Sequence, residues 1–194
     1  MEMIDILLVI YVNEGIHIRE LSRKLKLSIP AVKNHVDKLL KEGLITKKYE
    51  GRNLKLYINR KNRNLTSYLY QIESIRLKSL PKVIGDAVFD IISLLENKPI
   101  IVIIFGSYAK GTFTKTSDLD VIFVFNKLND ELEKKAKLVS SRHGISIEPV
   151  YLSWNNFRKK FFDEKDAFMK ELKENKIIVI GVEYWRELEN EVPA

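Results

Sequence analysis

The apolar positions of this chain run first at helical spacing, then alternate, then return as short solid blocks between helical stretches. MIDILLVIYVNE is dense enough in apolar residues for a mostly buried first helix. HIREL opens a second, with Leu21 and Leu25 four apart on one face. A third follows in LKLSIPAVKNHVDKLLKEGLI, where Val32, Val36, Leu39 and Leu40 make the inner stripe. Ser28 is placed to cap its orphan amides, and Pro30 is tolerated in the first turn, where no intrahelical hydrogen bond is lost with its missing N–H. Gly43 stops it, because a left-handed residue costs glycine little. Alternation on both sides of Gly51, in LITKKYE and LKLYIN, predicts a hairpin.

Between residues 61 and 82, Leu65, Leu69, Ile72 and Ile75 recur at helical spacing, which predicts a connecting helix as far as Pro81. From residue 83 the pattern reads helix, strand (100–105), a polar stretch, strand (119–125), helix (130–141) and strand (145–152). A long stretch rich in Lys and Glu is expected to be helical, residues 177–180 form a last apolar run, and the acidic tail after Trp185 is expected to fray. Strands alternating with helices predict a sheet covered by helices, an α/β or α+β domain. The expected organisation is therefore a small domain over 1–60, a connecting helix over 61–82 and a second domain over 83–194.

Charge sharpens this division. The net charge is +7, and through Thr66 there are 14 Lys and Arg against 7 Asp and Glu, while the remainder carries 19 of each. The whole surplus sits in the first third, as expected of a part that meets a polyanion, although a lysine-rich surface kept for solubility gives the same sum. Cysteine is absent, which excludes a disulfide framework, a thiolate zinc site and a thiol nucleophile. The apolar run over 6–12 follows Glu2 and Asp5 and is too short to span a bilayer, so a soluble, cytoplasmic protein without a membrane partner is expected.

Three helices followed by a basic hairpin resemble the winged helix-turn-helix family over about residues 1–60. The resemblance implies that the third helix enters the major groove of double-stranded DNA while the wing touches backbone or minor groove. Carried onto this chain, Lys33, Asn34 and Lys38 approach base edges, and Lys47, Lys48, Arg52 and Lys55 make phosphate or wing contacts. Regulators of this kind often dimerise on palindromic sites, for which the connecting helix is the candidate interface of a homodimer. A role in protein interaction alone is the competing reading of such a fold.

The stretch GSYAKGTFTKTSDLD, residues 106–120, carries the candidate chemistry. Asp118 and Asp120 stand two apart where a strand begins, so both carboxylates face one point. Like charges that close raise each other's pKa unless a cation relieves them, and magnesium takes one or two carboxylates together with substrate phosphates. Gly106 lets backbone approach a phosphate, Ser107 opens a short helix with free amides, Lys110 adds positive charge and Ser117 a hydroxyl. A nucleoside triphosphate held by its phosphates, with its metal on the aspartates, is the substrate this implies.

The same stretch closely resembles the signature of the minimal nucleotidyltransferases in the DNA polymerase beta superfamily: a Gly-Ser pair, a spacer of roughly ten residues, then Asp-x-Asp opening a strand. Here the spacer from Tyr108 to Ser117 is ten residues. The resemblance implies a mixed sheet flanked by helices, hence an α+β (α/β-like) chain in which a winged helix precedes a nucleotidyltransferase domain. It also implies two Mg2+ ions on Asp118, Asp120 and a third carboxylate on a following strand, for which Glu148 is the candidate. A charge inside an apolar strand is costly unless paired or metal-bound, which favours Glu148 over a plain edge-strand glutamate. Asp163, Glu164 and Asp166 read as solvated surface. Tyr108 departs from the family pattern, which often has arginine directly after the Gly-Ser pair.

Two functions are compatible with these features. One is transfer of a nucleoside monophosphate, AMP from ATP or its counterpart from another NTP, to a hydroxyl of a partner protein or small molecule. The other is a DNA-binding regulator whose nucleotidyltransferase-like domain senses nucleotide or binds a partner protein.

Overall fold

The computed structural model describes residues 2–51, 53–127 and 131–191. The chain divides into two compact units, Met1–Ile72 and Glu73–Ala194.

In the first unit, α1 (Met3–Val12) buries Ile6, Leu7 and Ile10, and a two-residue strand β1 (Ile16–His17) leads into α2 (Ile18–Leu25). That strand escapes the sequence pattern because two residues are too few to show alternation. Helix α3 (Ile29–Lys41) begins at Ser28, whose hydroxyl accepts from Ala31 N at 3.4 Å, and buries Val32, Val36 and Leu39. Strands β2 (Ile45–Glu50) and β3 (Asn53–Ile58) pair antiparallel, and the sheet order is β1-β3-β2. This is a winged helix-turn-helix. Helix α4 (Leu65–Lys78) follows, and the division between the units falls within it.

The second unit is built on a mixed sheet in the order β6-β5-β4-β7, formed by β4 (Ile101–Ile104), β5 (Leu119–Phe125), β6 (Ile147–Ser153) and β7 (Ile177–Ile180). Strands β5 and β6 run parallel, and β4 is antiparallel to both β5 and β7. Nearly every residue of β4 and β5 is apolar because both strands are central and covered on two faces. Val102, Ile104, Leu119, Val121, Phe123 and Phe125 share one core with α5 (Lys82–Leu94) and α7 (Leu132–His143). Helices α8 (Trp154–Phe161) and α10 (Val182–Glu191) also meet the sheet, and between them Phe157 and Phe161 pack on Trp185 at ring distances of 6.2 and 5.1 Å.

Two expectations require correction here. The Lys/Glu stretch is two helices, α8 and α9 (Ala167–Glu174), because Asp166 caps the second by accepting from Met169 N at 2.9 Å. The tail after Trp185 does not fray at once: α10 continues to Glu191 with Trp185 and Leu188 buried. Deleting a buried tryptophan side chain costs about 3–5 kcal/mol, enough to hold a polar helix in place. Glu73 is a buried carboxylate with a structural use. It pairs with Arg76 at 3.2 Å and accepts from Ile178 N at 3.1 Å.

Candidate functional site

Strand β4 ends at Ile104, and the chain turns through Phe105 into α6 (Gly106–Lys110) before Gly111 turns it out again. Gly106 has φ +64°, and a Cβ there would lie 2.1 Å from Asp120 Oδ2. The Gly-Ser turn and the Asp-x-Asp are thus one constellation, with the carboxylate of Asp120 filling the space that glycine leaves. A main-chain bond from Phe105 N to Asp120 O, 3.1 Å, fixes the same approach.

Register supplies the third carboxylate. Asp120 of β5 is the direct partner of Glu148 on β6, and parallel partners share a face. Asp118 has the same parity and lies just before β5. Strand β6 is an edge strand, and Glu148 is exposed, so burial does not force a partner on it as the sequence argument supposed. Its neighbour across the ladder is what brings it to the site.

The electrostatics agree with that placement. Partial burial holds the Asp120 carboxyl above its ordinary value, and the charges of Asp118, Glu148 and Glu171 add to the effect in that order. Among the described residues no three carboxylate or imidazole groups stand close enough together to form a ready-made metal cage. The donor set nonetheless fits a hard divalent cation: mutually repelling carboxylate oxygens, two of them separated by a single residue, beside the Gly106 turn. Magnesium ordinarily takes one or two carboxylates and completes its shell from substrate and water.

The remaining predicted nucleotide residues differ in their freedom. Ser107 lies in the first turn of α6. Lys110 ends α6, its Nζ 2.6 Å from Glu171 Oε1 on α9. Ser117 Oγ accepts from Thr114 N at 2.8 Å and so braces the loop that leads into Asp118. Tyr108 is buried, stacked on Phe113 at 4.6 Å, and its hydroxyl is raised in pKa by burial and then by Asp118. The position after the Gly-Ser pair therefore supports the turn from below instead of offering a cation to phosphate.

Glu171 was missed by the sequence reading. It lies in the Lys/Glu stretch that looks like solvated surface, 51 residues beyond Asp120 in the chain. It nevertheless lines a small cavity of about 70 Å³ with Phe105, Gly106, Phe168, Leu172 and Asn175. Asp163 and Glu164 are exposed, as that reading expects, and Asp166 is the helix cap already described.

In the winged unit, Lys33, Asn34 and Lys38 are exposed on α3, and Lys47 and Lys48 are exposed on β2. Lys55 is spoken for, since its ammonium pairs with Glu50, which also accepts from Tyr57 Oη at 2.7 Å. Arg52 lies outside the described residues. Two further arginines, Arg19 and Arg23, one helical turn apart on α2, line a groove of about 490 Å³ with His17 and Asn53. Tyr49 of the wing is 69% exposed. The sequence pattern passed over these because α2 was read for its apolar face.

Comparison with known proteins agrees with this geometry. The family described as winged helix-turn-helix DNA-binding matches residues 3–46, and the nucleotidyltransferase domain family matches residues 88–184. A curated protein of Methanocaldococcus jannaschii, "Putative protein adenylyltransferase MJ0141", is 31% identical over 85 residues, spanning 41% of this chain and 84% of that protein. Among solved structures, one described as a toxin-antitoxin with AMP-PNP aligns over 54% of this chain and 78% of its own at 16% identity and a TM-score of 0.42, too loose a likeness to argue from.

Proposed function

This chain belongs to the nucleotidyltransferase domain family, with a winged helix-turn-helix at its N-terminal side, and we propose that it transfers AMP from ATP to a hydroxyl of a protein. The observation that carries the proposal is the seat of Asp120 against Gly106, which joins the phosphate turn to the carboxylates. The relative's description supports adenylate as the group transferred and protein as the acceptor class, ahead of a small molecule or another NTP.

In this reading Gly106, Ser107 and Lys110 hold the triphosphate, and Ser117 stiffens the loop that presents Asp118. Asp118, Asp120 and Glu148 would hold magnesium, one ion or two, which when bound supplies positive charge to the phosphates and acidifies the acceptor hydroxyl. The acceptor oxygen forms a bond to the α-phosphorus, the bond from that phosphorus to the α–β bridging oxygen breaks, and pyrophosphate departs with the electron pair. The hydroxyl proton passes to the carboxylate cluster.

The basic surplus and the exposed Lys33, Asn34, Lys38, Lys47 and Lys48 support double-stranded DNA as a second partner. They also favour the alternative reading, a regulator whose second unit senses nucleotide. A homodimer through α4 belongs to either reading, and the exposure of Tyr70 and Ile75 supports it. Among the described residues no helix is long and apolar enough to cross a membrane, and DNA as a partner favours the cytoplasm.

Incubation with α-labelled ATP and magnesium, alone and with host lysate, tests the transfer. Label is expected on a protein band with the wild type and not with Asp118→Ala. Equal labelling by both, or none by the wild type, rejects the enzymatic reading and leaves the regulator.

A further inference from the structure

The ion pair between Lys110 and Glu171 is out of keeping with its surroundings. Lys110 closes the short helix that opens at the turn where a triphosphate is proposed to sit, yet its Nζ is 2.6 Å from a carboxylate contributed by a different element. That carboxylate stands on the wall of the cavity that also contains Gly106, and its charge reaches Asp120. A fourth acid beside Asp118, Asp120 and Glu148 adds repulsion that the fold has no structural need for, since α9 is held by buried Met169 and Leu172. The side chains of Lys110 and Glu171 are 40% and 54% exposed, so the pair is solvent-screened and weak enough to exchange partners.

We propose that Glu171 is a positioning residue for the nucleotide: its carboxylate holds Lys110 at the edge of the Gly106 turn and gives it up when a phosphate of the triphosphate arrives. The inference rests on the function proposed above and adds to it what sets nucleotide affinity. Binding becomes an exchange of one anion for another at Lys110. Glu171 keeps the lysine at the turn before substrate comes, and part of the lysine's attraction for phosphate is spent on displacing that carboxylate. A screened pair of this kind changes affinity by about two- to fivefold.

Calorimetric titration of the full chain with ATP and with a non-hydrolysable ATP analogue, at low salt with and without magnesium, tests it. Glu171→Gln should bind about two- to fivefold more tightly than the wild type. Lys110→Met should bind more weakly, and the Glu171→Gln gain should vanish in the Lys110→Met background. Glu171→Asp should return affinity to near the wild-type value. In transfer assays the gain should appear as a lower KM for ATP, a split that a merely structural role of α9 would not produce. If Glu171→Gln binds no better than wild type, or binds worse in magnesium as a lost metal ligand would, the inference fails while the proposed function stands. A gain that persists without Lys110 also overturns it, since Glu171 would then act on the phosphate directly. A wild-type chain that binds no nucleotide removes both.

Discussion

In the winged unit, Lys33, Lys38, Lys47 and Lys48 stand exposed with no ion pair among the described residues. In the transferase unit, Asp118, Asp120 and Glu148 are charges of one sign gathered at the end of adjacent strands. The first arrangement is a solvated surface, which in the reading proposed above would gain by releasing counterions from a polyanion. The second is a local field that holds Asp120 above its ordinary pKa, and in the reading proposed above a cation would relieve it. Surface charge can be spread over a helix face and a hairpin at little cost. A convergent site needs backbone to hold each member, and here the backbone is a glycine turn and a strand register.

The comparison breaks most visibly at Gly106. Gly106→Ala puts a Cβ where Asp120 Oδ2 now lies and forces an alanine to φ +64°. The closest clash is with a side-chain end, the Asp120 carboxylate, which must rotate away, and the strained backbone adds a stability cost of about 1–3 kcal/mol. Displacing a reacting group by about an ångström is worth about 100-fold in rate. Adenylate transfer should therefore drop about 100-fold in a protein that still folds, melting several degrees earlier, and still shifts DNA.

The wing lysines offer the next test. Removing one lysine that neutralises a phosphate should lower the slope of log K against log salt by about 0.9. Lys47→Ala and Lys48→Ala should each show that change in a mobility-shift salt series. Lys55→Ala should show much less, because its ammonium is already committed to Glu50. Equal slopes for all three would mean that the internal pair does not compete with DNA.

A smaller effect is expected in stability. The folded state holds Asp120 above its ordinary carboxylate pKa, so it binds that proton more tightly than the unfolded chain does. The penalty of ionising it is absent below the unfolded pKa, grows between the two values and is fully present above the folded one. Without added cation, Asp120→Asn should thus raise the melting temperature at neutral pH, with the gain shrinking as pH falls through the carboxylate range. At the low end, Ser28→Ala removes a long cap bond of 3.4 Å and should cost the winged unit about 0.5 kcal/mol.

Much of this was legible in the sequence because its pattern is local. Residues 119–125 and 177–180 read as apolar blocks and form β5 and β7 over those same residues, and Ser28, Pro30 and Gly43 bracket α3 as capping chemistry requires. The Gly-Ser and Asp-x-Asp elements stood out for the same reason, since their spacing lies within fifteen residues. What escaped was decided by neighbours remote in sequence. Glu171 looks like any glutamate of a charged helix until α9 is laid beside α6. The acidic tail hid Trp185 and Leu188, and the partners of Trp185, Phe157 and Phe161, lie on another helix. Glu148 is exposed, so the cost of a charge in an apolar strand does not single it out, and the register that sets it beside Asp120 appears only once β5 and β6 are paired.

If Asp118, Asp120 and Glu148 act together as a seat for a divalent cation beside a nucleotide turn, calorimetric melting with magnesium and ATP will register both ligands. A ligand that binds only the folded state raises its stability by mass action, by about 2.7 kcal/mol at one hundred times its Kd. The wild-type transferase unit should melt higher in millimolar magnesium and higher again when ATP is added, and Asp120→Asn should lose most of both increments while Asp163→Asn keeps them. A wild-type melt indifferent to magnesium and ATP together would mean that the three carboxylates seat no cation and the turn no nucleotide.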